Sequence, residues 1–131
     1  NIDMQLHHIG YVVDNLELHF NSLPGLSVEK KIIDPFQNAE IILCSNQSSS
    51  TFIELIKPLN NKSFTWNFLQ NGGGFHHICY EGLSLSQIEE KIAKHKMLKI
   101  RGPMHAVLFD KEIMFVVTRT KQIIEFIICK E

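Results

Sequence analysis

Net charge is almost absent from this chain: 13 lysines and arginines stand against 14 acids, for a formal value of −1 over 131 residues. Nucleic-acid binding draws most of its affinity from neutralised phosphates, so this balance offers no electrostatic case for such a partner. No apolar run approaches the ~20 residues that cross a bilayer, and no targeting pattern opens the chain, so no membrane partner is expected. Cysteine is scarce. Cys44, Cys79 and Cys129 are odd in number, lie far apart and form no C-x-x-C, which argues against a disulfide framework or a redox pair. They are expected to be small reduced core residues of a cytoplasmic protein. A thiol catalyst would rest on nothing beyond the nearness of Cys79 to a histidine. Arginine occurs only as Arg101 and Arg119.

Apolar residues make up 44% of the chain and charged residues 21%, the composition of a globular protein rather than a disordered one. The length suits one compact domain, 1–131, and is too short for two ordinary ones.

Within that domain one pattern occurs twice. His7-His8-Ile9-Gly10-Tyr11 is answered by Ile53-Glu54-Leu55-Ile56, and His76-His77-Ile78-Cys79-Tyr80 by Ile124-Glu125-Phe126-Ile127. The two spacings nearly agree. The surroundings repeat as well. Leu6–Val13 alternates as a strand, after which Asp14 or Asn15 can cap a short helix with Leu16, Phe20 and Leu23 on one stripe, stopped by Pro24-Gly25. Strands are expected over Val28–Ile33, Ala39–Cys44 and Thr51–Ile56, with Asp34-Pro35 as a turn and 46–50 as polar loop. The second half gives a strand at Phe75–Tyr80 and a helix from Ser84 to about His95. Ser84-x-x-Gln87 is its capping box, and Leu85, Ile88 and Ile92 are its buried stripe. Lys94, His95 and Lys96 end it with the charge that the helix dipole favours. A short strand near Leu98–Ile100 follows, then Glu112–Thr118 and Gln122–Cys129. Between the halves, Ser63 can cap a turn or two of helix carrying Phe64 and Phe68, ended by Gly72-Gly73-Gly74. Each half is therefore βαβββ, over about 5–59 and 74–130, with a short helical linker. A unit so short cannot bury its sheet alone.

The chemistry lies in the repeated residues. By strand parity His8 shares a face with Gly10, which leaves space above the sheet, and His77 shares one with Cys79. His7 and His76 fall with the residues that a helix covers, and read as structural. A lone histidine on a strand is usually structural too. An acid inside an apolar strand, however, is costly to bury unless paired or coordinated, and Glu54 and Glu125 repeat that arrangement at matched positions. Two imidazoles and two carboxylates planted once per repeat are the pattern of a divalent-metal site on a pseudo-twofold axis, with Co, Mn, Ni and Zn all compatible. The bland alternative has each acid facing solvent on an amphipathic strand.

Three stretches, HHIGYVV (His7–Val13), IELIKPL (Ile53–Leu59) and FLQNGGGFHHICYE (Phe68–Glu81), resemble the vicinal oxygen chelate superfamily, and within it methylmalonyl-CoA epimerase-like proteins. The resemblance covers almost the whole chain. It implies an α+β glyoxalase-like fold in which two βαβββ modules pair into one cupped mixed β-sheet around a divalent metal. Carried over by residue, the metal ligands are His8, Glu54, His77 and Glu125. The implied activity is an epimerase or isomerase moving a proton between adjacent positions through a metal-stabilised enolate, with Glu125 as one catalytic carboxylate and Glu54 or Glu40 as the other. The substrate would be a small molecule, an acyl-CoA thioester among the candidates, and the family's habit suggests a homodimer. Glyoxalase I-type lactoylglutathione lyases have the same ligand set, but their arginine for glutathione near the first strand has no counterpart here. A non-enzymatic binding member of the superfamily is the third reading, and dioxygenases with His/His/Glu would leave Glu54 without a role. In place of the glycine-rich stretch that epimerases usually carry stands Arg101–Phe109, whose Arg101 and His105 are loop cations within reach of an anionic ligand. Register puts Ile41 on the site face and Glu40 on the other. Phe64, Trp66 and Phe68 read as core, subunit contact or pocket wall, and His19 and His95 are given no chemical role.

Overall fold

A computed structural model describes residues 4–131. The element order is β1 (Gln5–Val12), α1 (Leu16–Ser22), β2 (Leu26–Asp34), β3 (Ala39–Asn46), β4 (Ser49–Pro58), α2 (Trp66–Gln70), β5 (Gly74–Ser84), α3 (Leu85–His95), β6 (Leu98–Ala106), β7 (Lys111–Val117) and β8 (Ile123–Cys129). The chain forms two compact units, one of residues 8–76, the other of residues 77–131 with the described residues before His8.

In the first unit the strands run β2-β3-β4-β1. β1 pairs parallel to β4, and the remaining neighbours are antiparallel. Parallel neighbours need a crossover, and here α1 begins it. Asn15 starts that helix in extended backbone and accepts the Leu18 amide on its side chain, satisfying an otherwise orphaned donor. Val13, Leu16, Ile42, Cys44 and Leu55 then close one face of the sheet, with Tyr11 and Phe20 against them. The second unit repeats the order as β5-β8-β7-β6, with β5 parallel to β8. Its helix opens on the expected capping box, Ser84 and Gln87 each satisfying the other's backbone N–H. Ile88, Leu83, Met97, Met114, Val116 and Phe126 form the core beneath it.

Several expectations are corrected. Leu85 stays 40% exposed, because at the first helical position it precedes the stripe that faces the sheet. Ser63 is not the N-cap: its hydroxyl donates to the Gln37 carbonyl and accepts from the Thr65 amide, and α2 starts later, after Thr65. The polar loop at 46–50 tightens into a hairpin, Asn46 pairing with Ser49. The segment read as a loop from Arg101 onward is strand as far as Ala106. Pro103 is tolerated there because β6 is the outer strand of its sheet, where a missing N–H breaks no ladder. Gly102 next to it has φ +91°, and a Cβ would stand 2.6 Å from the Ile113 carbonyl oxygen. Only glycine fits that position.

Candidate functional site

In the unit of residues 8–76, β1 and β4 register so that Gly10 lies beside Glu54 and His8 beside Phe52. Leu43 of β3 flanks Glu54 on the other side. Directly paired residues share a face, so His8 and Glu54 rise from the face opposite the α1-covered core. His8 is completely buried and Glu54 nearly so. The imidazole Nε2 stands 3.2 Å from Glu54 Oε1. Gly10, directly beside Glu54, adds no side chain to that face.

The unit containing 77–131 builds the same pair independently. Cys79 lies beside Glu125 in the β5–β8 ladder, and Phe115 of β7 flanks Glu125 on its other side. His77 Nε2 is 3.0 Å from Glu125 Oε1, both side chains buried. The Phe115 ring stands edge-on to the imidazole, with centroids 5.4 Å apart and planes at 88°. That contact fixes the plane of the His77 ring and presents its Nε2 to the carboxylate.

Sequence parity thus separates the adjacent histidines correctly. His7 is half-buried, edge-on to Phe109 at 5.0 Å. His76 is buried between the edges of Phe64 and Phe68 at 5.9 and 4.8 Å. Those two phenylalanines therefore serve as packing for His76. Glu40 lies beside Lys57 in the β3–β4 ladder, on the face away from Glu54, and its carboxylate is 3.7 Å from Lys31. His105 likewise points from the other face and pairs with Asp110 at 3.5 Å. Cys44 and Cys79 are buried, whereas Cys129 is exposed, contrary to the expectation of three core thiols. Burial pushes the Cys44 thiol up to about 11, so it is a packing group without nucleophilic character at neutral pH.

One placement was hidden from the sequence. Both outer strands carry a register shift at matching positions, between Val28 and Lys30 in β2 and between Lys99 and Arg101 in β6. The shift brings Lys30 beside Leu43, and Arg101 beside Phe115, so each cation shares the face of its unit's buried glutamate. A β-bulge inverts side-chain parity without leaving a mark in the hydrophobic pattern.

Each unit thus carries one buried histidine–carboxylate pair, His8 with Glu54 and His77 with Glu125, of the residue types that bind divalent cations. Two ligands at right angles about 2.1 Å from one ion lie about 3.0 Å apart. Each pair has that separation, and each presents one nitrogen and one oxygen from a dry environment, so the donor chemistry fits.

Comparisons with known proteins place the chain in a family. A family model described as Glyoxalase/Bleomycin resistance protein/Dioxygenase superfamily matches residues 7–107. Curated protein sequences yield no significant match. Among solved structures, a hypothetical protein of Bacillus halodurans C-125 is similar at 22% identity and a TM-score of 0.83, over 98% of this chain and 96% of its own. Methylmalonyl-CoA epimerase from Mycobacterium tuberculosis is similar at 18% identity and a TM-score of 0.81, over 96% of this chain and 88% of its own. A variant of the Streptomyces coelicolor methylmalonyl-CoA epimerase, in complex with 2-nitronate-propionyl-CoA, is similar at 17% identity and a TM-score of 0.80, over 97% of this chain and 98% of its own. These likenesses establish the α+β glyoxalase-like fold along nearly the whole chain. With its matched model and its twice-built histidine–glutamate pair, the chain belongs to the glyoxalase/bleomycin resistance protein/dioxygenase superfamily.

Proposed function

We propose that His8, Glu54, His77 and Glu125 hold one divalent cation, and that the protein is an epimerase or isomerase moving a proton on the carbon next to a carbonyl. The proposed substrate is an acyl-CoA thioester of the methylmalonyl type. The observation that carries this reading is the repeated buried pair, imidazole Nε2 against carboxylate Oε1 at 3.2 and 3.0 Å. Similarity to methylmalonyl-CoA epimerases over nearly the full chain supports the choice of reaction.

When bound, the cation would supply Lewis-acid stabilisation of the charge that develops on the carbonyl oxygen as the proton leaves. The chain supplies the rest. His77, held edge-on by Phe115, sets its Nε2 3.0 Å from Glu125 Oε1, so that the two stand as neighbouring donors. His8 stands likewise against Glu54, with Gly10 beside Glu54 in the ladder. One carboxylate oxygen of Glu125 takes the proton from the carbon, and Glu54 returns one to the opposite face. Two carboxylates from separate repeats suit an inversion, which needs a group on each side of the carbon. Glu40, on the other face and beside Lys31, is not the second group. Leu43 and Phe115 flank the two acids and keep water from competing for the proton.

The test is deuterium incorporation at the α-carbon of methylmalonyl-CoA in heavy water, with and without added Co²⁺. Incorporation that depends on both protein and metal is the expected result. Metal-loaded protein that leaves the α-carbon unlabelled would remove this substrate.

A further inference from the structure

A cavity of about 400 Å³ opens on the helix side of the second unit. Its floor is Tyr80, Met97, Ile124 and Phe126. Tyr80 lies beside Phe126 in the β5–β8 ladder, one residue out of phase with Cys79 and Glu125. The floor therefore belongs to the face opposite the buried glutamate, and the sheet separates the cavity from it. Nothing in the proposed chemistry uses this space.

The rim has one sign of charge. Lys91 and His95 come from α3, a helical turn apart on one side of the helix, and Arg119 comes from the turn between β7 and β8. Among the described residues no carboxylate lines the cavity. Among the described residues none of the three cations is in an ion pair, and the nearby Glu89 is engaged by Lys99 at 2.8 Å. The helix dipole accounts for basic residues in the last turn, but Lys94 and Lys96 already meet that preference away from the cavity. It accounts for neither Lys91 nor Arg119. Arg119 is carried on a defined turn: the Lys121 amide donates to the Thr118 carbonyl, and Thr118 and Thr120 share a hydroxyl contact at 3.0 Å. An apolar floor under a cationic, hydroxyl-bearing rim complements one class of small molecule.

We propose that this cavity binds a carboxylate with an apolar body, such as a medium-chain fatty acid, at a site separate from the histidine–glutamate pairs. The tail displaces water from Tyr80, Met97, Ile124 and Phe126. The carboxylate meets the planar fork of Arg119, with Lys91 adding a point charge. The volume accommodates roughly fifteen to twenty non-hydrogen atoms, at the lower end of small-molecule sites.

The test is an amide chemical-shift titration of the full chain with sodium decanoate, and separately with decanol and with inorganic phosphate. Decanoate should give saturable shifts at residues 91–97 and 118–120, decanol a weaker response there, and phosphate weaker still. The doubly substituted Lys91→Ala/Arg119→Ala protein should bind decanoate about fivefold more weakly, two exposed charge contacts being lost. Its amide spectrum should otherwise keep its dispersion, since Arg119 is exposed and Lys91 half-buried. Absence of saturable shifts at these residues overturns the proposal. So does decanol binding as tightly as decanoate, or unchanged affinity in the folded double variant; a double variant that loses dispersion is replaced by Arg119→Ala alone, judged by the same comparison.

Discussion

Adding Co²⁺ to metal-free protein should raise its melting temperature, and removing a donor from either repeat should abolish the rise. A ligand that binds only the folded state at about one hundred times its Kd stabilises by about 2.7 kcal/mol. A chain of 131 residues, at about 2.1 cal/mol/K per residue, unfolds with an entropy near 0.28 kcal/mol/K. The expected rise is therefore about 10 °C. Glu125→Gln keeps the shape of the side chain and the acceptor facing His77 while removing the charge. Losing one anionic donor should weaken affinity about a hundredfold, so the same Co²⁺ concentration then stabilises by only ~0.4 kcal/mol, or 1–2 °C. Glu54→Gln should do the same, although it lies in the other repeat. The assay is a pair of thermal melts by circular dichroism after chelator treatment, with and without Co²⁺. A full shift surviving in Glu54→Gln but lost in Glu125→Gln would mean that the two pairs do not serve one ion. No shift in the unsubstituted protein would reduce both to buried ion pairs.

Other outcomes follow from the same geometry. Glu125→Ala should abolish α-carbon deuterium exchange, whereas His7→Ala, which loses only an edge contact with Phe109, should retain most of it. Gly102→Ala should destabilise by about 2 kcal/mol in urea unfolding, because the added Cβ meets the Ile113 carbonyl at 2.6 Å in a backbone conformation that side chains rarely adopt. Ser84→Ala should cost about 1 kcal/mol by the same measurement, through loss of the α3 capping box. With a thiol reagent at pH 8, Cys129 should react first and Cys44 only on unfolding. Burial lifts the Cys44 thiol from 9.0 to about 11, so the folded chain releases that proton later than the unfolded one. Stability should accordingly be insensitive to this group below pH 9 and decline as pH rises through about 11.

The repeat of histidine and glutamate within apolar strands could be read directly from the residues, because a strand's period of two decides which side chain faces which way. That rule separated His8 from His7, His77 from His76, and Glu40 from the site face, and with the helical stripes and turn residues it gave the βαβββ order of each half. Capping chemistry placed the starts of α1, to within a residue, and of α3 for a similar reason: Asn15 and Ser84 act on amides within three residues of themselves. What depended on distant partners was not legible. The extension of β6 through Pro103 is set by its pairing with β7, and the phase of Arg101 and Lys30 by bulges that shift the backbone without altering any side-chain pattern. The Phe64 and Phe68 edges around His76, and the cationic rim over the second core, likewise bring together residues far apart in the chain. Local periodicity carries the facing of each strand. Ladder pairing and packing across the sheet determined which neighbours each buried group would meet.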